Sequence, residues 1–271
     1  MAEIFVASAG PKKKMHLDNI LRRLLWGVIV FLIVFSLVEL GYYLLVSPHV
    51  LITKIECEGD LKLSEQEILS LAGLSGNEYY FTINLKAVEE GIKQHPMVRE
   101  VIVEKIFPNT LRLTLMGRKP LLLVQLAEGK SLGYGYLDEE GVVFAKANHI
   151  GELNLPIISG LRSNLRQVAA RLPSSYLPFL QDLSELKREH PNLFNLLSEI
   201  RVVNTDNGGY ELVIYPQIFR LRVWIGRRVK AGSLRYLFFT LNFLDQQGKL
   251  KNITEADFRT GELVYTMKGE D

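Results

Sequence analysis

Histidine, cysteine and paired acidic residues are the side chains of this chain that could support catalysis or bind a metal. The histidines are scattered, and none has a second histidine or cysteine three or four positions away; they are His16, His49, His95, His149 and His190. Cys57 is the single cysteine, so neither an intrachain disulfide nor a zinc framework built on cysteine pairs can form. We therefore predict no metal site and no cofactor.

The remaining catalytic patterns are also weak. The acidic pairs Glu89-Glu90 and Glu139-Glu140 are typical of a solvated helix face and a turn. A phosphate loop at residues 133–135 (GYG) is not expected, because no helix follows it. An anchored cell-wall enzyme would need a nucleophile beside a base, as in S-x-x-K, and we expect no such pair. We predict that the chain is not an enzyme and has no small-molecule substrate.

Basic residues are concentrated in one segment of a nearly neutral chain. The net charge is +2, which gives no case for nucleic-acid binding. Between Glu211 and Asp245 there is no acidic residue, whereas the segment contains Arg220, Arg222, Arg227, Arg228, Lys230 and Arg235. The segment could form a basic surface that attracts an acidic partner or anionic lipid. It could equally be an ordinary solvated sheet face whose acidic partners come from elsewhere in the fold.

An apolar segment near the N-terminus predicts a transmembrane helix over residues 24–46. The 22 residues from Leu24 to Leu45 would span about 33 Å, enough to cross a bilayer core. Aromatic residues that suit the two membrane interfaces are Trp26, Tyr42 and Tyr43. Glu39 is the only ionisable residue of this segment, and a carboxylate costs about 2.5–3.5 kcal/mol at the bilayer centre. A contact with another transmembrane helix would explain it.

Charges at the ends of this segment predict its orientation. The basic residues that precede it are Lys12, Lys13, Lys14, Arg22 and Arg23. By the positive-inside rule, residues 1–23 form a cytoplasmic tail and everything after the helix is exported. We expect a single-pass, type II protein of the cytoplasmic (inner) membrane with its C-terminal domains outside the cytoplasm.

Residues 47–119 predict a small domain of order β-α-α-β-β. After a strand over Leu51–Glu58, Ser64 and Glu67 form a capping box that starts a short helix. A second helix starts near Asn84. The segment HPMVREVIVEKIFPNTLRLTLMGRKP, residues 95–120, then predicts a hairpin with a Pro-Asn turn. The three strands would form one sheet with both helices on the same face.

Residues 120–271 predict a second, mostly antiparallel β domain with flanking helices. Hairpins are indicated around Glu139-Glu140-Gly141 and across the Asn-Gly-Gly at residues 207–209. The prolines Pro173 and Pro178 divide residues 164–190 into two short helices. A later helix carries a leucine stripe after Lys230. The last strand, Glu262–Met267, lies easily at a sheet edge, where its unpaired backbone groups could accept a partner strand.

Three segments of the first exported domain resemble a known family. KIECEGDLKLSEQEILSLAGL, YYFTINLKAVEEGI and the hairpin are similar to the polypeptide-transport-associated (POTRA) domain of the FtsQ/DivIB bacterial division proteins. The matching positions include Gly59, Pro96, Pro108, Arg118 and Pro120, while Phe107 replaces a usual tryptophan and Gly117 a usual glutamate. The segments LDEEGVVF, VWIGRRVKAGSLRYLFFTL and ADFRTGELVYT extend the resemblance more loosely to about Met267.

The resemblance implies a non-catalytic scaffold of the divisome, located at the division septum. Such a protein would link early cytoplasmic division components to FtsB-like and FtsL-like proteins and help to control septal peptidoglycan synthesis. In the family the C-terminal end docks FtsB by strand addition, which implies the partner-binding candidates Phe258, Arg259, Val264 and Tyr265. A POTRA-containing component of envelope assembly or secretion is the alternative function.

Overall fold

The first helix is long and apolar enough to cross a membrane. The computed structural model describes residues 14–42, 50–128, 131–147, 153–162, 165 and 167–267. Helix α1 (Lys14–Gly41) begins ten residues before the predicted start, and its apolar part is Ile20–Gly41. The described residues therefore include no part of the predicted span beyond Tyr42. Predictions on Lys12, Lys13, Tyr43, His49 and His149 also lie outside the described residues.

The predicted β-α-α-β-β unit is confirmed. It consists of β1 (Lys54–Gly59), α2 (Glu65–Ala72), α3 (Leu85–Lys93), β2 (Val98–Ile106) and β3 (Thr110–Gly117). The sheet order is β1-β3-β2, with β1 parallel and β2 antiparallel to the central β3. The Phe107–Pro108 peptide bond in the β2–β3 turn is cis.

Local sequence signals account for the two helices of this unit. The Ser64 hydroxyl accepts from the Glu67 amide and the Glu67 carboxylate accepts from the Ser64 amide, which completes the capping box. Gly73 ends α2 in the left-handed conformation at φ 65°. The Asn84 side chain caps α3. Both helices bury their apolar residues in one small core with the sheet, which consists of Ile52, Ile68, Val88, Ile92, Val98, Val101, Leu111, Leu113 and Leu115.

The rest of the chain is organised around one nine-stranded sheet. Its strands are β4 (Leu122–Glu128), β5 (Ser131–Leu137), β6 (Val143–Ala147), β7 (Ile157–Ser159), β8 (Leu197–Asn204), β9 (Tyr210–Pro216), β10 (Arg222–Gly226), β11 (Ile253–Asp257) and β12 (Val264–Met267). The order is β12-β11-β10-β9-β8-β7-β4-β5-β6. Only the pairs β4–β7, β7–β8 and β10–β11 are parallel. The predicted α+β class, with a mostly antiparallel second part, is confirmed.

Three helices accompany this sheet: α4 (Leu177–Glu189), α5 (Pro191–Phe194) and α6 (Ala231–Gln246). The leucine stripe of α6 is buried as predicted. The prediction for residues 164–190 was wrong: the described residues before Pro173 are not helical, and α4 is one helix of 13 residues preceded by a short 3₁₀ turn. Pro178 lies in the first turn of α4, where a missing amide hydrogen breaks no helical bond.

A buried ion pair connects the two sheets where β3 leads into β4. Arg118 Nη1 lies 2.5 Å from Asp138 Oδ2 and 2.7 Å from Glu140 Oε2, and the side chains of Arg118 and Asp138 are only 10% and 3% exposed. Asp138 also accepts the amides of Glu140 and Val142, which fixes the β5–β6 turn. The Glu139-Glu140 pair, expected to be a solvated turn, instead joins this cluster through Arg99.

Replacing Arg118 by methionine is expected to destabilise the fold strongly, because it leaves the Asp138 carboxylate buried without its cation. Breaking one side of a buried pair costs about 3–5 kcal/mol, which a urea unfolding curve of the detergent-solubilised full chain would measure. Arg99→Ala is the matched control: its side chain is 44% exposed, so about 0–1 kcal/mol is expected. Equal effects of the two substitutions would contradict the structural role of Arg118.

Candidate functional site

Strand β12 lies at one edge of the nine-stranded sheet, as the sequence predicted. It pairs antiparallel with β11, with Ala256 opposite Tyr265 and Asp257 opposite Val264. It is also shorter than predicted, because Glu262 and Leu263 belong to the preceding turn. On the side away from β11, no other strand of the described residues pairs with it. Its outer backbone amides and carbonyls are therefore available to a partner strand.

The opposite edge of the same sheet is covered where β6 begins. The Val143 amide of β6 donates to the Ala170 carbonyl at 2.9 Å, and the Ala169 amide donates to the Val143 carbonyl at 2.7 Å. A further bond runs from the Leu172 amide to the Gly141 carbonyl at 2.8 Å. Main-chain bonds from residues 169–172 thus cover the start of the β6 edge, whereas β12 has no such cover among the described residues.

The four partner-binding candidates face different ways. Val264 is 65% exposed, whereas Tyr265 is partly buried and packs against the large core. Phe258 is 4% exposed, and its ring centroid lies 5.9 Å from that of Tyr236. The expectation that the Phe258 side chain contacts a partner is therefore corrected: it is a core residue that anchors the chain just before β12. Alternation along the strand leaves Val264 and Thr266 as the outward side chains.

Arg259 is held rigidly at the entrance to β12. Its guanidinium donates to both Asp257 carboxylate oxygens and, at 3.0 Å, to Glu211 Oε2. It also lies over the Trp224 ring, 5.5 Å from the centroid. The hydrogen bonds from Arg259 hold the pKa of Asp257 below its usual value, and those from Trp224 and Arg222 do the same for Glu255. Both carboxylates therefore stay charged at neutral pH.

A cavity of about 350 Å³ opens beside Arg259, between the β10–α6 connection and the turn that precedes β12. Its walls carry four cationic side chains and no acidic one; they are Arg227, Arg228, Lys230 and Arg259. The floor includes Val229, Leu234 and Phe258, which are buried apolar residues. Arg228 and Arg259 are paired with acidic residues of the chain, so Arg227 and Lys230 are the wall cations that suit an acidic side chain on an apolar peptide.

The arginines of the predicted basic surface fall into two groups, those paired with acidic residues and those without an ion pair among the described residues. Arg222 pairs with Glu255 at 2.5 Å, and Arg228 makes two 2.5 Å bonds to Asp182, so acidic residues from other elements neutralise these two. Arg220, Arg227 and Arg235 are exposed and have no ion pair within the part of the chain that the structure describes. Of these three, only Arg227 lines the cavity.

Three exposed aromatic side chains on α6 were missed by the sequence analysis, which considered only the leucine stripe. They are Tyr236, Phe239 and Phe243, and Phe239 is 70% exposed. Their spacing of three and four residues places them on one face of the helix. The recurrence of aromatics outside the leucine stripe was the signal that could have revealed them. The Tyr236 ring contacts Phe258, which follows β11 and precedes the turn before β12.

The expectation that the chain contains no S-x-x-K pattern was wrong, since Ser184-Glu185-Leu186-Lys187 fits it. On α4, however, Ser184 bonds to Glu139 and Lys187 Nζ donates to the Pro120 carbonyl at 2.7 Å. Burial lowers the pKa of Lys187. The two side chains thus hold the junction between the sheets instead of forming a nucleophile–base pair. Among the described residues, no group of three His, Cys, Asp or Glu side chains could hold a metal ion.

Glu39 lies in the last turn of α1, two residues before the helix ends. Its side chain is exposed, and no partner for it occurs among the residues that the structure describes. At this position the carboxylate is close to the end of the apolar segment, where the cost of a charge is lower than at the bilayer centre. Contact with another transmembrane helix stays a prediction.

Comparison with known proteins finds matches to bacterial cell division proteins. The family model for the POTRA domain, FtsQ-type, matches residues 50–117. Cell division protein FtsQ of Myxococcus fulvus is 27% identical over 222 residues, which is 76% of each chain. FtsQ of Geotalea daltonii is 28% identical over 185 residues, 68% of this chain and 62% of that protein. Cell division protein DivIB of Geobacillus kaustophilus is 22% identical over 204 residues, 74% of each chain.

The fold and the open edge define a POTRA protein in which an apolar helix precedes the POTRA domain and a large β sheet follows it. The matches to FtsQ and DivIB proteins extend beyond the POTRA segment into that sheet. Residues 50–117 form an FtsQ-type POTRA domain, and the chain is similar over most of its length to the FtsQ and DivIB cell division proteins.

Proposed function

We propose that this protein is a non-catalytic, single-pass membrane scaffold of the bacterial divisome that binds FtsB-like and FtsL-like proteins. The similarity to FtsQ and DivIB cell division proteins supports a role in cell division. The open edge strand β12, beside a cavity with cationic walls, is the observation that carries the binding function. We also propose that the chain has four parts: a cytoplasmic tail (residues 1–23), a transmembrane helix (24–46), a POTRA domain (47–119) and a β domain (120–271).

Strand addition is the binding mode that the edge favours. A partner strand would pair with the outer backbone groups of β12 and extend the nine-stranded sheet by one strand. The side chains that face outward, Val264 and Thr266, would contact alternate residues of the partner. Residues 169–172 cover the start of the β6 edge by main-chain bonds, whereas β12 is uncovered along its length within the described chain and is the edge we propose for the partner.

The charge of the cavity indicates which partner segment fits. Four cationic side chains surround an apolar floor next to the start of β12. An acidic residue placed just before or after the partner's strand would reach these cations while the strand pairs with β12. Such a charge pair increases the association rate and the specificity, whereas the backbone bonds and apolar contacts provide most of the affinity.

The proposed location follows from α1 and the charges around it. With Ile20–Gly41 across the cytoplasmic membrane, the N-terminal tail would face early cytoplasmic division components. Both sheets would lie outside the cytoplasm at the septum. The protein would thereby connect the inner division apparatus to partners that control septal peptidoglycan synthesis.

Val264→Lys is expected to weaken partner capture at least tenfold, because it places a charge in the apolar outer face of β12 without disturbing the core. The measurement is a pull-down titration of detergent-solubilised FtsB-like and FtsL-like proteins from the same host. Tyr265→Lys should also weaken capture, but this side chain packs against the core, so Val264 gives the cleaner result.

Ile102→Lys on β2 provides the matched control for Val264→Lys. Ile102 is also an exposed aliphatic side chain in a strand, and it belongs to the other sheet. Capture should be unchanged in this variant. A folded Val264→Lys protein that captures partners as well as the Ile102→Lys protein does would contradict docking at β12.

Arg227→Glu is expected to slow partner association, with the largest effect at low salt, because it reverses the one cavity arginine that is exposed and unpaired in the described chain. Association rates over a salt series would measure this. Lys62→Glu, an identical charge change on the first domain, serves as the control. A slope against salt equal to that of the control would rule out electrostatic steering by the cavity.

Depletion of the protein in its host tests the cellular role. We expect long undivided cells, and a tagged copy should concentrate at midcell. Normal cell length with a diffuse envelope signal would instead favour the alternative function in envelope assembly or secretion, and outer-membrane protein levels would then be measured.

A further inference from the structure

A short tether joins the apolar helix to the first sheet. Only seven residues separate Tyr42, at the end of α1, from Val50, where the described chain resumes. Even a fully extended chain of this length spans at most about 29 Å. The end of the domain that contains Val50 is therefore restricted to a zone close to the membrane surface where α1 ends.

Three chain segments meet at that end of the domain. The Tyr80 amide donates to the Val50 carbonyl at 2.7 Å, and Leu51 forms a β-bridge with Tyr79. The Thr53 amide donates to the Asn109 carbonyl in the β2–β3 turn at 3.0 Å. The first residues after the tether, the segment before α3 and the β2–β3 turn thus form one surface.

This surface carries four exposed apolar and aromatic side chains around the partly buried Tyr80, and we call the five residues the aromatic cap: Leu51, Tyr79, Tyr80, Phe81 and Phe107. The Tyr80 ring lies edge-on to Phe81 and to Phe107, with centroid distances of 5.0 and 6.0 Å. Phe107 occupies the tip of a turn, where polar residues are usual, and its apolar side chain is 61% exposed. Clustered exposed aromatics of this kind mark a binding surface.

A lysine lies beside the aromatic cap. Lys105 Nζ lies 5.8 Å from the centroid of the Tyr80 ring. The acidic residues that directly precede the two cap segments are held elsewhere: the Glu78 carboxylate accepts from the Ser75 and Gly76 amides, and Glu104 lies opposite Arg112 in the sheet. Aromatic rings that are apolar on one side and polar on the other, next to a lysine, fit the interfacial layer of a bilayer with anionic headgroups.

We propose that the aromatic cap binds the lipid headgroup layer of the leaflet at which α1 ends, with Phe81 and Phe107 inserted and Lys105 at the phosphates. This inference rests on the proposed membrane anchor. The tether selects lipid as the occupant, because it keeps the cap within reach of that layer in every copy of the chain. The cap would fix the first domain on the membrane and so limit the orientations in which β12 meets its partners.

The test uses the full chain in nanodiscs that contain phosphatidylglycerol and hold a single copy. In a Cys57→Ser background, Phe81→Cys and Phe107→Cys are labelled with an environment-sensitive fluorophore. Met97→Cys is the matched control, since it is an exposed apolar residue at the far end of β2, about 30 Å along the strand from Phe107. Val30→Cys in α1 reports insertion of the helix. Lipids with a doxyl quencher near the headgroup or near the tail end are compared.

Loss of fluorescence at positions 81 and 107 with the headgroup-proximal quencher, without loss at position 97, is the expected result. If the labels at 81 and 107 are unquenched while the label at 30 is quenched by the deep quencher, the lipid contact is overturned. The membrane anchor is left intact by that result. An unquenched label at 30 would overturn the anchor itself. Shielding of 81 and 107 from aqueous iodide only in discs with two copies would assign the cap to a second copy and overturn the proposal.

Discussion

The buried ion pair between Arg118 and Asp138 is the interaction on which the arrangement of the two sheets depends. It lies where β3 leads into β4, and the same carboxylate fixes the β5–β6 turn by accepting two backbone amides. Lys187 adds a bond to the Pro120 carbonyl in the connecting segment. A charge buried to this degree must be paired, so the junction is stable in one geometry and costly in others. The direction of the second sheet relative to the first follows from it.

The two sheets present different surfaces at their free ends. The first domain presents apolar and aromatic side chains at the end nearest the apolar helix, whereas the second sheet ends in a bare edge strand at β12. Residues 169–172 cover the start of the β6 edge, so β12 is the less protected of the two edges. Arg259, clamped by Asp257 and Glu211, keeps the turn before β12 in place without a partner.

Helix caps could be predicted from the sequence, whereas the role of the basic residues could not. The capping box at Ser64 and the cap at Asn84 each depend on a few neighbouring residues. The basic segment could not be interpreted, since Glu255 and Asp182 neutralise part of it from other elements. The helix boundaries around Pro178 also failed, because a proline in a first turn and one that breaks a helix look alike in sequence.

The apolar helix, the β-α-α-β-β order and the hairpins could be predicted from the amino-acid sequence, since hydrophobic periodicity and turn residues act over short separations. The tertiary structure decided which side chains of the candidate site face outward. Val264 is exposed and Tyr265 packs against the core because strand alternation sets the two faces of β12, and a shift of one residue would exchange them. It also decided that four cations meet around one cavity, because their positions depend on how the β10–α6 connection packs beside the turn before β12.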